Sequence, residues 1–252
     1  MEAPVHVLER LTSPEIAAAI AAGCTRALVP CGAIEQHGPH LALRMDTDHA
    51  EALAPLIARG LGGAFIAPSI AVGCSSHHLA FSGTISVSEA TFTAICRDYC
   101  TSLLRHGITE IFFYSGHVGN FPVLENALPG LRQAVPGARV EAFTDSTAWL
   151  GCWAEAVAAA GGSAASVGGH ADIAETSLML HIKPEAVRPS RIEAGRLGLM
   201  TRAELDIMWR DGLPAVSPNG ILGDARGASA DIGAACLTAI AGLILAAFTA
   251  KA

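Results

Sequence analysis

Apolar runs alternate with amphipathic segments along most of the chain. Short apolar runs that end at glycine or at polar residues predict four buried strands, at 26–30, 65–72, 108–114 and 139–143. Helices are predicted, from apolar residues at three- and four-residue spacing, at 12–22, 48–59, 89–105, from 121 onward, at 145–160 and at 202–210. Because strands that alternate with helices through short connections run parallel, the pattern predicts a three-layer α/β/α sandwich with a mainly parallel central sheet.

The whole chain, residues 1–252, is expected to form a single domain. It is 51% hydrophobic and 15% charged, which suits one substantial core, and no repeat or linker divides it. The apolar run at 232–248 is about as long as a minimal membrane span, but Asp231 and Lys251 frame it closely. We expect this run to form a buried terminal helix, which could also contact another subunit.

Charge and cysteine content narrow the classes of partner. A formal net charge of -7 and the lack of a basic stripe argue against nucleic acid. The amino-terminal residues show neither the basic region nor the long apolar region of a signal peptide, so we expect a cytoplasmic protein with no membrane partner. Seven cysteines without zinc-ribbon spacing are expected to be free thiols.

Candidate metal ligands are concentrated directly after the first predicted strand. Carboxylates and imidazoles, which bind zinc, manganese or iron, occur within fifteen residues at Glu35, His37, His40, Asp46, Asp48 and His49. A solvated turn could contain the same residues, since Glu-x-His alone is a weak signal. Ligands nevertheless bind at the carboxyl ends of strands in open α/β sheets, which is where this cluster falls.

Two later segments favour a metal site over a solvated turn. The strand at 108–114 is followed by Ser115, Gly116 and His117, and the glycine pair at 168–169 is followed by His170 and Glu175. Three separated segments thus each bring histidine or carboxylate next to glycine. Such segments can converge on one metal site.

These three segments resemble the motifs of the creatininase (creatinine amidohydrolase) family. The matching stretches are Gly-Ala-Ile-Glu-Gln-His-Gly-Pro-His-Leu at 32–41, Gly-His-x-Gly-Asn at 116–120 and His-Ala-x-x-x-Glu-Thr-Ser at 170–177. Weaker matches at 82–86 and 219–228 extend the resemblance over most of the chain. In creatininase proper a metal-binding glutamate stands where this chain has Gly119, so the resemblance is to a broader branch and creatinine itself is a doubtful substrate.

The resemblance implies a site with two divalent metal ions, zinc, manganese or iron. It assigns Glu35, Asp46 and His117 to one ion, and His37, Asp46 and Glu175 to the other. Asp46 suits a bridging position because a carboxylate has two oxygens. Two such ions could hold a shared water, lower its pKa and polarise a carbonyl.

Catalytic and pocket residues are also expected. His170 is the candidate for proton transfer to the leaving nitrogen, with a supporting role beside the metals as the alternative, and Glu175 could act as a base. Ser82, Gly83 and Thr84 are expected to shape the pocket wall. His77 is expected to line the pocket without His78, because neighbours on extended backbone point opposite ways. The resemblance adds Trp149 and Trp153 as pocket candidates. The segment 161–169 is rich in glycine, serine and alanine, so it is expected to be a mobile loop over the site.

The leading functional hypothesis is an amidohydrolase in which a metal-bound water attacks the C–N bond of a small cyclic amide or formamide. A family relative that cleaves a peptide tail in cofactor maturation, or a cyclic ketone C–C bond, is the alternative. A non-catalytic metal- or small-molecule-binding protein is the third reading, which the complete ligand set argues against. The resemblance also implies a homo-oligomer, commonly a hexamer.

Overall fold

A five-stranded parallel sheet forms the centre of the molecule. The computed structural model describes residues 4–250. The strands lie in the order β1-β3-β2-β4-β5, and every neighbouring pair is parallel. Their bounds are β1 Val5–Val7, β2 Arg26–Cys31, β3 Ala64–Ile66, β4 Glu110–Ser115 and β5 Arg139–Ala142. A separate antiparallel pair is formed by β6 Val167–His170 and β7 Leu222–Gly223.

Helices cover both faces of the central sheet. Their bounds are α1 Ser13–Ala21, α2 Met45–Gly60, α3 Glu89–Arg105, α4 Phe121–Ala134, α5 Ser146–Ala159, α6 Ile173–Ile182, α7 Arg202–Asp211 and α8 Ala230–Thr249. Side chains of α2, α5, α6 and α8 pack in one hydrophobic core, and those of α1, α3 and α4 pack in another. The alternation of β2 explains both cores: Leu28 lies in the first, whereas Ala27 and Val29 lie in the second. The predicted three-layer sandwich is therefore confirmed.

Two expectations about regular structure are wrong in detail. The second predicted strand, 65–72, ends after Ile66, because Pro68 has no N–H for the ladder. The segment 161–169, expected to be a mobile loop, instead enters β6 at Val167. A Cβ on Gly168 would lie 2.5 Å from the backbone of β7, so the glycine permits this close strand pairing rather than loop movement.

The terminal helix α8 is the one helix among residues 4–250 that is long and apolar enough to cross a membrane. Its mean hydropathy is 2.2 over 18 residues. One face of the helix is buried against α2, α5 and α6, with Ile240 and Ile244 fully covered. This packing is that of a core helix, as the sequence predicts.

Candidate metal centre

Five buried side chains from three parts of the chain meet at the carboxyl ends of β2 and β4. Glu35 and His37 lie in the loop after β2, and His117 follows β4. Helix α2 begins at Met45, three residues earlier than predicted, so Asp46 lies in its first turn. Glu175 occupies the first turn of α6. All five residues are at most 5% exposed.

The two carboxylate oxygens of Asp46 face two different groups of ligands. Asp46 Oδ1 lies 3.2 Å from His37 Nε2, which is also 3.7 Å from Glu175 Oε2. Asp46 Oδ2 lies 3.7 Å from His117 Nδ1, which is also 3.3 Å from Glu35 Oε1. Each group, with Asp46 shared between them, has its donor atoms close enough to hold one metal ion.

Each of three histidines has one ring nitrogen next to a backbone carbonyl oxygen. His37 Nδ1 is 3.1 Å from the oxygen of Glu35, and His117 Nε2 is 3.2 Å from that of Cys74. His170 Nε2 is 2.8 Å from the oxygen of Gln36. For His37 and His117 this contact favours a proton on that nitrogen, which leaves the other ring nitrogen with a free electron pair that faces the carboxylates. This is the tautomer that metal binding requires.

The electrostatics of the cluster call for a cation. Burial raises the pKa of Glu35, Asp46 and Glu175 well above the usual range of carboxyl groups. Both oxygens of Glu35 and Oδ2 of Asp46 have no hydrogen-bond partner among the described residues. Buried, unpartnered carboxylates are strongly unfavourable unless a positive charge compensates them. The donor set therefore fits one or more divalent metal ions.

Asp172 orders the third ligand segment. Its carboxylate accepts hydrogen bonds from the backbone N–H groups of Gly168, Gly169, Ala174 and Glu175. It thereby caps α6 and fixes the chain on both sides of His170. Ala171, between His170 and Asp172, has a φ of 51°, in the left-handed region that non-glycine residues rarely adopt. The tight turn brings His170 and Glu175 to the same site.

Asn120 joins the other two segments to a third loop. Its amide nitrogen donates to the carbonyl oxygen of Gly32 and to Ser115 Oγ, each at 3.0 Å, and its oxygen accepts from the N–H of Cys74. The side chain does not cap α4. It connects the loops that follow β2, β3 and β4.

Gly119 leaves space for the imidazole of His117. A Cβ at this position would lie 2.3 Å from His117 Nε2, so a larger residue would displace the ring. Since position 119 carries no carboxylate, the acidic side chains of the cluster come from Glu35, Asp46 and Glu175.

An open cavity of about 450 Å³ leads from the surface to these ligands. His170, His77 and His78 all line it. The expectation that only one of the adjacent histidines could do so is wrong, because Ser76–His78 forms a 3-10 helix rather than extended backbone. The sequence did not predict a place for His78 at the site. Its Nε2 lies 3.4 Å from Glu35 Oε1, and its Nδ1 lies next to the side-chain amide of Gln36.

Ser82, Gly83 and Thr84 do not line the cavity, contrary to expectation. Ser82 and Gly83 are exposed on the surface. Thr84 Oγ1 accepts a hydrogen bond from the backbone N–H of Gln36. This turn therefore supports the metal loop from outside.

Trp149 and Trp153 are core residues, so their assignment to the pocket is wrong. Both are fully buried, because the face of α5 that carries them turns towards α2, while Leu150 lines the cavity. The ring of His49, on α2, lies 5.6 Å from Trp149 and 5.9 Å from Trp153. His49 has no hydrogen-bond partner among the described residues and does not belong to any of the candidate ligand groups.

Replacing His49 should change how stability depends on pH. Burial lowers the pKa of His49 from 6.5 to about 3, so the folded protein holds a neutral ring that the unfolded chain protonates in acid. The associated stability is complete above pH 6.5 and is lost as the pH falls towards the folded pKa. Relative to the non-titrating His49→Gln, the wild type should lose roughly 2 kcal/mol of unfolding free energy between about pH 6.5 and pH 5.

Urea unfolding of both proteins at the two pH values measures this difference. Using the variant as reference removes the contributions of all other titrating groups. If the difference in unfolding free energy between the two proteins does not change with pH, His49 is protonated equally in the folded and unfolded states.

An α/β sandwich with a buried histidine and carboxylate cluster at its strand ends defines a metal-binding hydrolase of the creatininase type. The chain belongs to the creatininase family: the family model described as "Creatininase: Creatinine amidohydrolase" matches residues 9–248. The family predicted from the motifs is thereby confirmed.

Relatives in this family carry two different names. The chain is 35% identical over 211 residues to a mycofactocin precursor peptide peptidase of Mycobacterium ulcerans. This match covers 81% of this chain and 76% of that protein. It is 33% identical over 115 residues to the creatinine amidohydrolase of Pseudomonas putida, 44% of each chain.

Solved creatininases share the fold. A tryptophan-to-phenylalanine mutant creatininase superposes with a TM-score of 0.79 at 26% identity, covering 97% of this chain and 98% of that one. Similar structures include a zinc–zinc form and a manganese form of creatininase. Zinc and manganese both suit the carboxylate and imidazole donors of this chain.

Proposed function

We propose that this protein is a dinuclear metal-dependent hydrolase of an amide C–N bond. The observation that carries the proposal is the division of the two Asp46 oxygens between separate ligand groups, with His37 and Glu175 on one side and Glu35 and His117 on the other. A carboxylate placed between two ligand groups in this way would let the five side chains hold a pair of divalent ions.

Divalent ions at such a site supply Lewis acidity, which lowers the pKa of water and polarises a carbonyl group. The chain's own residues then position and protonate the substrate. His170 Nδ1 lies 3.6 Å from Glu35 Oε1 and faces the cavity side of the cluster. Its Nε2 lies beside the backbone oxygen of Gln36, so Nδ1 is the atom that can take a proton from the attacking water and pass it to the leaving nitrogen.

Replacing His170 with alanine should lower the rate of hydrolysis by roughly 10²- to 10⁴-fold, which is the usual contribution of a general acid. The bound metal should remain, because Glu35, His37, Asp46, His117 and Glu175 are unchanged. Elemental analysis and single-turnover rates measure the two effects. Loss of metal in His170→Ala would assign His170 as a ligand, since Glu35, His37 and His170 could also hold an ion together.

A peptide is the substrate class that we favour. The relative that is 35% identical over 81% of this chain is named as a peptide peptidase, and the open cavity of about 450 Å³ has room for a peptide segment. A small cyclic amide is the second candidate, supported by the similarity to creatininases. Both substrates require attack on an amide carbonyl, so the same centre serves either.

The test uses protein reconstituted with zinc or manganese. Mass spectrometry scores cleavage of a mixed library of acetylated peptide amides, and a separate assay measures loss of creatinine. We expect metal-dependent peptide cleavage that chelation abolishes and metal restores. Turnover of creatinine alone would replace the peptide with the cyclic amide, and turnover of neither by fully loaded protein would refute the proposed hydrolase.

A further inference from the structure

One side of the cavity is an apolar wall formed by α7 and the residues just before it. We define the wall as Leu199, Met200, Leu205, Met208 and Trp209, all of which line the cavity. Leu199 is 66% exposed and Trp209 is 52% exposed. Large apolar side chains that stay exposed around a concave site commonly mark a binding surface.

The apolar wall adjoins the metal centre directly. The ring of Trp209 lies 4.4 Å from the ring of His77, which in turn lies 5.9 Å from that of the metal-ligand candidate His117. A group that contacts Trp209 would therefore sit only one side chain away from the ligands.

The wall is held in position before any ligand binds. Thr201 and Glu204 form a capping box at the start of α7. Glu204 also pairs with Arg196 at 2.6 Å, and this anchors the helix to the chain that precedes it. Met208 is the buried member of the wall and shares a small hydrophobic cluster with Leu213. Such anchoring reduces the entropy that binding would otherwise cost.

The charged side chains of the cavity disfavour an anionic group on the substrate. Among residues 4–250, no lysine or arginine lines it, whereas Glu35, Asp46, Glu125 and Glu175 do. Two divalent ions would more than offset the three buried carboxylates, so the negative side chain left in the lining to repel an anion is the exposed Glu125. A carboxylate or phosphate on the substrate next to the wall would have no cationic side chain to receive it.

We propose that the apolar wall binds an uncharged apolar side group of the substrate beside the scissile amide, and that Trp209 determines this specificity. The proposal rests on the proposed amide hydrolase and names the class of substrate that it accepts. The wall is continuous with the cavity that holds the metal ligands, which argues for substrate as the occupant rather than a second copy of this chain.

Four probe peptides test the proposal: N-acetyl-Gly-X-amide with X as Phe, Val, Gly or Asp. Hydrolysis is scored at every amide bond with metal-loaded protein, and binding is measured separately through the emission of Trp209. We expect kcat/KM for the Phe probe to exceed that for the Gly probe by roughly tenfold or more, with the Asp probe lowest.

Variants assign the preference to the wall. Trp209→Ala should lower the Phe-to-Gly ratio by roughly tenfold, mainly through KM, whereas Trp209→Phe keeps an aromatic ring and should retain most of the ratio. Leu197→Ala is the matched control, because Leu197 is 60% exposed on the same segment but does not line the cavity. It should leave the ratio unchanged.

The outcomes separate the wall from the reaction. Equal kcat/KM for all four probes would overturn the wall proposal and leave the hydrolase intact. If no probe is hydrolysed but the Phe probe still binds more tightly than the Gly probe, the peptide substrate fails and the wall stands. Should Trp209→Ala instead change the sedimentation coefficient and leave the ratio unchanged, a second subunit covers the wall and the proposal is wrong.

Discussion

Asp46→Asn should remove bound metal from both positions and lower kcat/KM by roughly 10³-fold or more, because several kcal/mol of metal-derived stabilisation is lost. The two Asp46 oxygens face different ligand groups, so neither group stays complete without the carboxylate. Asparagine has nearly the same shape but carries no charge and only one oxygen. Elemental analysis after purification without chelator, alongside steady-state kinetics, measures both losses.

Two further variants make the metal count specific. Glu175→Gln should lose one ion and keep the other, since Glu175 belongs to one proposed group only. Asp48→Asn is the control on the same helix: Asp48 pairs with Lys183 and Arg44, outside the ligand groups, and should keep both ions. Unchanged metal content in Asp46→Asn would exclude the bridging role.

Gly116→Ala should destabilise the fold by roughly 3 kcal/mol or more and disturb the metal centre at the same time. A Cβ at position 116 would lie 2.2 Å from the carbonyl oxygen of Asp46 and 3.3 Å from the N–H nitrogen of Ala50. Both contacts are with backbone, so a side-chain rotation cannot relieve them. The first turn of α2 would have to move away from β4, and Asp46 would move with it.

Gly151→Ala provides the matched comparison. Gly151 lies inside α5, and a Cβ there would meet no atom within 4 Å. Alanine should stabilise the helix by roughly 0.5 to 1 kcal/mol. Urea unfolding of the two variants, with metal content, gives the result. A Gly116→Ala protein as stable as the wild type would show that the backbone at position 116 does not approach α2 closely.

The layer architecture could be predicted because local patterns determine it. The observed ranges of β2 and α3 agree closely with the predicted ones. The helix α1 begins at a capping box formed by Thr12 and Glu15, near the start of its predicted range. Each depends on residues near in sequence: apolar periodicity, a cap and a terminating glycine. The convergence of Glu35 and His117 could be expected as well, since the carboxyl ends of parallel strands meet at one edge of the sheet. Glu175 lies on α6, after a strand of the separate antiparallel pair, and only the motif resemblance placed it at the site.

Features set by distant parts of the chain could not be predicted. Trp149 and Trp153 present one helix face, but only the position of α2 decides whether that face meets the core or the cavity. Both His77 and His78 line the cavity only because the chain forms a 3-10 turn there. The apolar residues of α7 read as an ordinary amphipathic stripe, and their exposure beside the metal centre follows only from the tertiary structure.

The wide separation of the ligands along the chain affects the order of folding. Glu35, His117 and Glu175 come together only after β2, β4 and α6 have packed, so an unfolded chain offers no complete metal site. Metal ions should then bind late and slow unfolding, with little effect on the folding rate. Bound metal would therefore increase mainly the kinetic stability of this protein, by extending the lifetime of the folded molecule.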